Sequence, residues 1–299
     1  MMKPLHASTL FLPLFMLLLL SRFATASDAA GAIDCPGKIF DLPIEEASAA
    51  GQVAPAVWLT VGPLGRSRVM LDSGNTFNLA LTVSPDYRPE LARAVQPIAY
   101  FVPELAMNVT LRSLPVPPIV GQRLAGRNLG PIEINPGLIN ETGFTIFDLR
   151  DKRLMGFTHE VDVRHCFGSG MRFSRSAVSG SQRIYLRATV DGKDDGQILV
   201  DSGATLSKIY APDISDPAAR TDASLTYYDG HGVPMVPLLS RNHRLQIGAK
   251  VKDLPEVSLE PAPVAWPGDV FPAALGYTDL KDTVMIFAPA SDDYWELIF

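Results

Sequence analysis

Short apolar runs separated by polar turns make up most of the chain. Residues 57–61 and 69–71 are apolar-rich and flank the polar turn "GPLGRS", a pattern that predicts a β-hairpin. Residues 186–190 and 198–200 flank "DGKDDG" in the same way. Helical periodicity over long stretches is scarce, and 25 prolines with 23 glycines interrupt the sequence at short intervals. The pattern therefore predicts an all-β chain.

The two hairpins belong to an internal repeat. Asp-Ser-Gly follows each of them, at Asp72 and at Asp201, and a shift of 201 − 72 = 129 residues superposes both hairpins and both triplets. The same shift places Thr76 on Thr205. Because the match extends beyond three residues, the sequence predicts a duplicated unit in which a β-hairpin leads into an aspartate-bearing loop.

Later segments of the two copies also correspond. Residues 144–157 and 283–299 each read as strand, polar turn and strand. Upstream of them, "NPGLIN" (135–140) and "AALGYTDL" (273–280) each place a glycine in an apolar segment that we expect beneath the aspartate loop. We predict two similar β lobes, the N-terminal one over residues 27–158 with Asp72 and the C-terminal one over residues 159–299 with Asp201.

Charge and composition exclude several classes of protein. A formal net charge of −6 argues against a protein that tracks nucleic-acid phosphates, which needs a basic face. The five histidines are scattered and fit no closed metal set, and no glycine-rich phosphate loop occurs. We therefore expect no nucleic-acid partner, no metal and no cofactor.

The N-terminal segment is typical of an export signal. Lys3 precedes the apolar run "LFLPLFMLLLL", and "ATA" ending at Ala26 offers small residues for cleavage, so residues 1–26 are interpreted as a signal peptide. An uncleaved anchor is the alternative, although the run is shorter than the roughly 20 apolar residues that cross a bilayer. We expect a secreted or periplasmic protein without a stable membrane anchor.

Export also bears on the two cysteines. Cys35 and Cys166 are the only cysteines, and an oxidising compartment favours a disulfide between them. Two buried thiols are the alternative, because the distance between the residues cannot be read from the sequence.

Two Asp-Ser-Gly triplets after apolar strands, each with a downstream apolar-glycine segment and a Phe-containing terminal strand, resemble the two-lobed pepsin-like aspartic peptidases. Each lobe alone resembles a retropepsin protomer. The resemblance implies two β-barrel lobes with an active-site cleft between them, hydrolysis of polypeptides, and a monomer, because both half-sites lie in one chain. It implies a catalytic pair, Asp72 and Asp201, and supporting loop residues: Ser73, Gly74, Thr76, Ser202, Gly203 and Thr205.

Paired carboxyls suit this chemistry. Two carboxyls a few ångströms apart cannot both ionise and so share a proton, for which aspartic proteases are a standard example. One carboxylate can then act as general base on a water while its neutral partner donates a hydrogen bond to the scissile carbonyl. The serine hydroxyls are expected to cross-link the two loops, and the glycines allow the loops to approach closely.

The sequence departs from the family pattern at two points. The residue three positions after each aspartate often carries a hydroxyl in pepsin-like enzymes, whereas here it is Asn75 or Ala204. With one hydrogen bond fewer to the ionised form, we expect a mildly rather than strongly acidic optimum. The second departure is "NPG" at residues 135–137, where the family has two apolar residues before glycine.

Flap tyrosines are a further expectation from the resemblance. Tyr100, in "IAYFVPELAMNV", and Tyr228, in the hairpin-like "LTYYDGHGVPMVP", are the candidates for substrate-covering flaps. The alternative is that both tyrosines pack in strands.

A binding or inhibitor protein on the same two-lobed frame remains the rival to an enzyme, because fold alone does not decide function. A lone Asp-Ser-Gly is ordinarily a turn. Retention of both aspartates, both serines and both glycines favours the endopeptidase.

Overall fold

The structure, a computed structural model, describes residues 35–49, 51–88, 96–175, 182–210, 218–228, 234–260 and 273–299. The predicted signal peptide lies outside these residues. Residues Pro36–Phe299 form one compact unit. The chain is mainly β-stranded, which confirms the predicted fold class in its coarse form.

Ten strands precede residue 158 in the described residues. They are β1 (Lys38–Pro43), β2 (Glu45–Ala49), β3 (Gln52–Thr60), β4 (Arg66–Leu71), β5 (Leu79–Val83), β6 (Pro97–Val102), β7 (Met107–Val116), β8 (Ile132–Ile134), β9 (Phe144–Asp148) and β10 (Arg153–Phe157). Seven of them form one sheet in the order β2-β3-β4-β8-β5-β7-β6.

Twelve more strands follow in the part of the chain that the structure describes. They are β11 (Met171–Ser174), β12 (Tyr185–Val190), β13 (Lys193–Asp201), β14 (Lys208–Tyr210), β15 (Arg220–Thr221), β16 (Tyr227–Tyr228), β17 (Pro234–Met235), β18 (Leu238–Ile247), β19 (Lys250–Glu260), β20 (Ala273–Gly276), β21 (Val284–Phe287) and β22 (Tyr294–Ile298). Seven of them form a second sheet in the order β12-β13-β20-β14-β19-β18-β15, and β16 pairs with β17 alone.

The two seven-stranded sheets share an unusual pairing scheme. In the first, β4 runs parallel to β8 and β5 runs parallel to β7, while β5 and β8 are antiparallel. In the second, β13 and β20 are parallel, β14 and β19 are parallel, and β14 and β20 are antiparallel. The duplication read from the sequence therefore extends to strand topology, and the hairpin β6–β7 corresponds to the hairpin β18–β19.

A third sheet draws three strands from each half of the chain, in the order β1-β10-β9-β21-β22-β11. Its central strands, β9 and β21, are antiparallel and fully buried, with Ile146 opposite Ile286. The continuous apolar run of β21 is typical of a strand covered on both faces. The two strand–turn–strand segments predicted at residues 144–157 and 283–299 are confirmed, and they lie side by side in this sheet.

Three short α-helices accompany the sheets in the described residues: α1 (Pro118–Gly126), α2 (Val163–Phe167) and α3 (Tyr277–Leu280). Helix α1 covers one face of the first sheet, where its Leu124 packs in a buried cluster with Met70 and Leu81. Within the described part of the chain, no helix combines the length and the apolar character that crossing a bilayer requires.

The predicted disulfide between Cys35 and Cys166 is confirmed. Cys35 lies three residues before β1, and Cys166 lies in helix α2. The bond therefore fixes the chain just ahead of an edge strand of the shared sheet, and the alternative of two free thiols is set aside.

Candidate active site

Both aspartates lie where a buried strand ends. Asp72 follows β4 directly, and its backbone N–H donates to the carbonyl of Ile134 on the parallel strand β8 at 2.8 Å. Asp201 is the last residue of β13 and is paired with Gly276 on the parallel strand β20. The loops that begin at these residues, 72–78 and 201–207, are called the first and second aspartate loops below.

Two serines connect the loops reciprocally. The backbone N–H of Ser73 donates to Ser202 Oγ, and that of Ser202 donates to Ser73 Oγ, both at 3.0 Å. Ser73 Oγ donates in turn to the Val200 carbonyl at 2.8 Å, and Ser202 Oγ to the Leu71 carbonyl at 2.9 Å. Both serines are fully buried. Each hydroxyl therefore satisfies one donor and one acceptor of the opposite half, and the two loops are locked face to face.

The glycines show how close the carboxyls come. A Cβ added at Gly203 would lie 2.3 Å from Cγ of Asp72, and one added at Gly74 would lie 2.7 Å from Cγ of Asp201. Each carboxyl thus sits against the glycine of the opposite loop, in space that any larger residue would occupy. The crossed arrangement brings the two carboxyls together, so that Asp72 and Asp201 interact both by charge and by a side-chain hydrogen bond.

Burial is the main cause that raises the pKa of Asp72 well above its ordinary value. The charges of Asp201 and Glu133 raise the pKa further, against the hydrogen bond that Gly74 N–H donates to Asp72 Oδ1 at 2.8 Å. On the other side, the N–H of Ala204 donates to Asp201 Oδ1 at 3.1 Å. A like charge beside a desolvated carboxyl favours the protonated form of that carboxyl.

The residues that follow the triplets differ between the loops. Asn75 Nδ2 donates to Glu133 Oε2 at 2.9 Å, whereas Ala204 has no polar side chain. Thr205 Oγ1 donates to the Val53 carbonyl at 3.0 Å and accepts from the Val53 N–H at 2.9 Å. Thr76 is half-buried and makes no side-chain hydrogen bond to the described residues. Of the two predicted threonine supports, only Thr205 ties its loop to the other half of the chain.

The residue beneath the first loop is Asn135, where the sequence suggested Gly137. Asn135 occupies the place opposite Asp72 that Gly276 occupies opposite Asp201. A Cβ at Gly276 would lie 2.3 Å from the Leu206 carbonyl carbon, which excludes side chains there. The first loop leaves room instead, and Asn135 Nδ2 donates to the Asn75 carbonyl at 2.8 Å.

In each aspartate loop, a polar side chain accepts a hydrogen bond from the backbone N–H of the residue opposite the aspartate. Asn78 Oδ1 accepts from the Asn135 N–H at 2.9 Å, and Ser207 Oγ accepts from the Gly276 N–H at 2.9 Å. Ser207 Oγ also donates to the buried carboxyl of Asp279 at 2.6 Å. This support was not predicted from the sequence, although 207 − 78 = 129 is the repeat shift itself.

A charged group beside Asp72 was also missed. Glu133 lies on β8, and two arginines of helix α1 and its C-terminus, Arg123 and Arg127, act on it electrostatically. Both arginines donate to Gln52 Oε1, and Gln52 Nε2 donates to the Thr226 carbonyl at 2.8 Å. The sequence "IEI" was the available sign of this group, because alternation in a strand places the glutamate on the face opposite to that of the two isoleucines.

The described surroundings of Tyr100 are those of a framework strand. It lies in β6, and a Cβ added at Gly62, in the turn between β3 and β4, would lie 2.7 Å from its ring. That turn is at the end of the hairpin away from Asp72, because β4 runs from it toward the aspartate. Tyr100 therefore packs within the strand framework, as the alternative interpretation held.

The predicted hairpin around Tyr228 is present. Strands β16 and β17 pair with Tyr227 opposite Met235 and Tyr228 opposite Pro234. The Tyr228 side chain and residues 229–233 lie outside what the structure describes. In the first half, residues 89–95 also lie outside the described residues.

A cavity of about 540 Å³ lies next to the first aspartate loop. Phe77, Asn78, Arg112 and Asn140 are among its lining residues, and neither aspartate is. In the described ranges, no group of three His, Cys, Asp or Glu side chains is arranged to hold a metal ion.

Comparison with known proteins gives no family assignment. Neither the scan against protein-family models nor the search of curated proteins found a match to this chain.

Proposed function

We propose that the protein is an exported aspartic endopeptidase that hydrolyses peptide bonds of extended polypeptides between Asp72 and Asp201. The observation that carries the proposal is the crossed contact of the two loops, in which each carboxyl abuts the opposite glycine and two buried serines exchange hydrogen bonds. A turn with only a local role would not need a second carboxyl opposite it.

The architecture supports a two-lobed, pepsin-like arrangement. Each seven-stranded sheet carries one aspartate on the same set of parallel and antiparallel pairings, and the six-stranded sheet is shared by both halves. We propose that the halves are the lobes and that substrate binds in a cleft at the two loops. One chain then holds a complete site and acts as a monomer.

The proposed reaction uses water as the nucleophile. The protonated carboxyl of the pair donates its proton to the carbonyl oxygen as water attacks the carbonyl carbon. The ionised carboxyl takes a proton from that water, and a tetrahedral diol forms. When the C–N bond breaks, the carboxyl that took the proton passes it to the leaving nitrogen, and its partner recovers one from the diol, which leaves an acid and an amine.

Two further features fit an exported enzyme. Residues 1–26 have the pattern of a signal peptide, and the Cys35–Cys166 disulfide is of a kind that persists in oxidising compartments. We propose that the protein works outside the cytoplasm, in the periplasm or the medium.

A secreted binding or inhibitor protein on the same frame remains the second candidate. Asn75 and the "NPG" at residues 135–137 favour it, since both depart from the pattern of pepsin-like enzymes. A binding protein, however, gains nothing from holding two carboxyls together at the electrostatic cost that raises the pKa of Asp72.

A digestion experiment separates the two candidates. The exported protein is incubated with an unfolded polypeptide at pH values between about 3 and 8, with and without pepstatin. We expect cleavage that pepstatin blocks, with an optimum in the mildly acidic range because the pKa of Asp72 is raised. Absence of cleavage at every pH, with the protein folded, would favour the binding protein.

A further inference from the structure

Glu133 is the one acid on strand β8, and it lies on the face of the first sheet that helix α1 covers. Its neighbours Ile132 and Ile134 are fully buried on the opposite face. Glu133 is paired with Met70, just before the first aspartate loop. The equivalent pair in the second half is Leu199 and Ala274, so the carboxyl occurs on one side of the aspartate pair only.

A continuous set of hydrogen bonds connects Glu133 to the first loop. Glu133 Oε2 accepts from Asn75 Nδ2 at 2.9 Å. The Asn75 backbone N–H donates to the Asp72 carbonyl at 3.3 Å, and the Asn75 carbonyl accepts from Asn135 Nδ2 at 2.8 Å. Movement or loss of the Glu133 carboxylate would therefore affect Asn75, whose backbone N–H closes the turn after Asp72.

The charged groups facing Glu133 come from three elements. The aspartate loops contribute Asp72 and Asp201, which repel a carboxylate, and helix α1 with its C-terminus contributes Arg123 and Arg127, which attract it. Gln52 of β3, which accepts from both arginines, is neutral. Burial and Asp201 together raise the pKa of Glu133, although Asn75 and the arginines favour the ionised form.

We propose that Glu133 is a positioning residue that acts on the aspartate pair through Asn75 and through its charge, and that it extends to higher pH the range in which the pair shares one proton. This proposal rests on the proposed function for its effect on catalysis, but not for the coupling of the three carboxyls. Glu133 does not itself touch the reacting atoms.

The direction of the effect follows from the sign of the charge. An ionised Glu133 disfavours a second negative charge on the pair, so it raises the pH at which the shared proton is lost. Removing that charge lets the pair lose its proton earlier. The upper limb of the pH–activity profile should then move to lower pH.

Glu133→Gln tests the proposal, because glutamine keeps an oxygen for Asn75 but carries no charge. We expect the upper midpoint of the kcat/KM profile to fall by about one pH unit. Asn75→Ala is expected to shift it less and in the same direction, since Glu133 then loses a donor that stabilises its charge. Glu160→Gln, which neutralises an exposed carboxyl in the turn after β10, should leave the profile unchanged.

A second readout does not depend on activity. The carboxyl carbon of Asp72 is followed by NMR in protein labelled with ¹³C-aspartate, the signal being assigned by its loss in Asp72→Asn. We expect its titration midpoint to fall by about one unit in Glu133→Gln and to stay in place in Glu160→Gln. An unchanged Asp72 midpoint in both Glu133→Gln and Asn75→Ala would overturn the proposal. A lowered midpoint in protein without peptidase activity would support the coupling and count against the proposed function alone.

Discussion

Asp72→Asn and Asp201→Asn are each expected to lower kcat/KM for an unfolded polypeptide by about 10³-fold or more. An asparagine at either position can still accept the backbone hydrogen bond that the aspartate accepts from Gly74 or Ala204. It can neither give up nor take a proton, so the pair loses its general base or its general acid. The measurement is the initial rate of cleavage at the optimal pH, with folding checked by circular dichroism.

The matched control for this loss is Asp253→Asn. Asp253 lies on β19 with a side chain that is 77% exposed, and its ion pair with Arg244 at 3.2 Å is of the surface kind that contributes little. Activity close to that of the unaltered protein is expected. If Asp72→Asn and Asp201→Asn both retained activity at the level of Asp253→Asn, the proposed mechanism would be wrong.

Gly203→Ala is expected to have the second largest effect. Its Cβ would lie 2.3 Å from Cγ and Oδ2 of Asp72, so either the carboxyl or the second loop must move. The reciprocal serine hydrogen bonds between the loops oppose that movement, because Ser202 is fully buried and exchanges two hydrogen bonds with Ser73 of the first loop. We expect a loss of about 1–3 kcal/mol in the free energy of unfolding and about a 10²-fold loss of kcat/KM.

Gly126→Ala provides the control for Gly203→Ala. A Cβ at Gly126 would meet no atom within 4 Å, and Gly126 ends helix α1, where alanine is tolerated. Urea unfolding and cleavage rates are compared for the two variants. Equal stability and equal activity of the two would show that the loops do not meet as closely as described.

Much of the fold could be predicted because the internal repeat shows the same local pattern of strands and turns twice. Each copy of Asp-Ser-Gly ends a buried strand, and the alternation of apolar runs with polar turns marks the hairpins that precede it. The strands at residues 144–148 and 284–287 were read as equivalent, and the structure places them side by side. The mutual position of the two loops could be inferred only from the family resemblance.

The errors arise where pairing joins distant parts of the chain. The segments of Tyr100 and Tyr228 were taken to occupy corresponding places, but β5 pairs with β7 as β14 pairs with β19, so the hairpin β6–β7 corresponds to β18–β19. Gly137 was expected beneath the first aspartate loop, whereas Asn135 fills that place. A sequence pattern identifies strands more readily than it identifies their partners.

Glu133 was overlooked for a related reason. Within "PIEINPG" it reads as an ordinary polar residue of an alternating strand, which is expected to face water. Its environment depends on helix α1, whose Arg123 comes ten residues earlier, and on Asp201 from the other half of the chain. Buried charged groups of this kind become recognisable only when all packed elements are in place.

The most direct test of the central claim, that Asp72 and Asp201 meet and share a proton, is the titration midpoint of the Asp72 carboxyl carbon in the unaltered protein and in Asp201→Asn. The account predicts a midpoint well above that of an ordinary aspartate in the unaltered protein. Replacing Asp201 removes the neighbouring charge, and the midpoint should fall by about one pH unit or more. A midpoint that is the same in both proteins would contradict the account, because two carboxyls that share a proton cannot titrate independently.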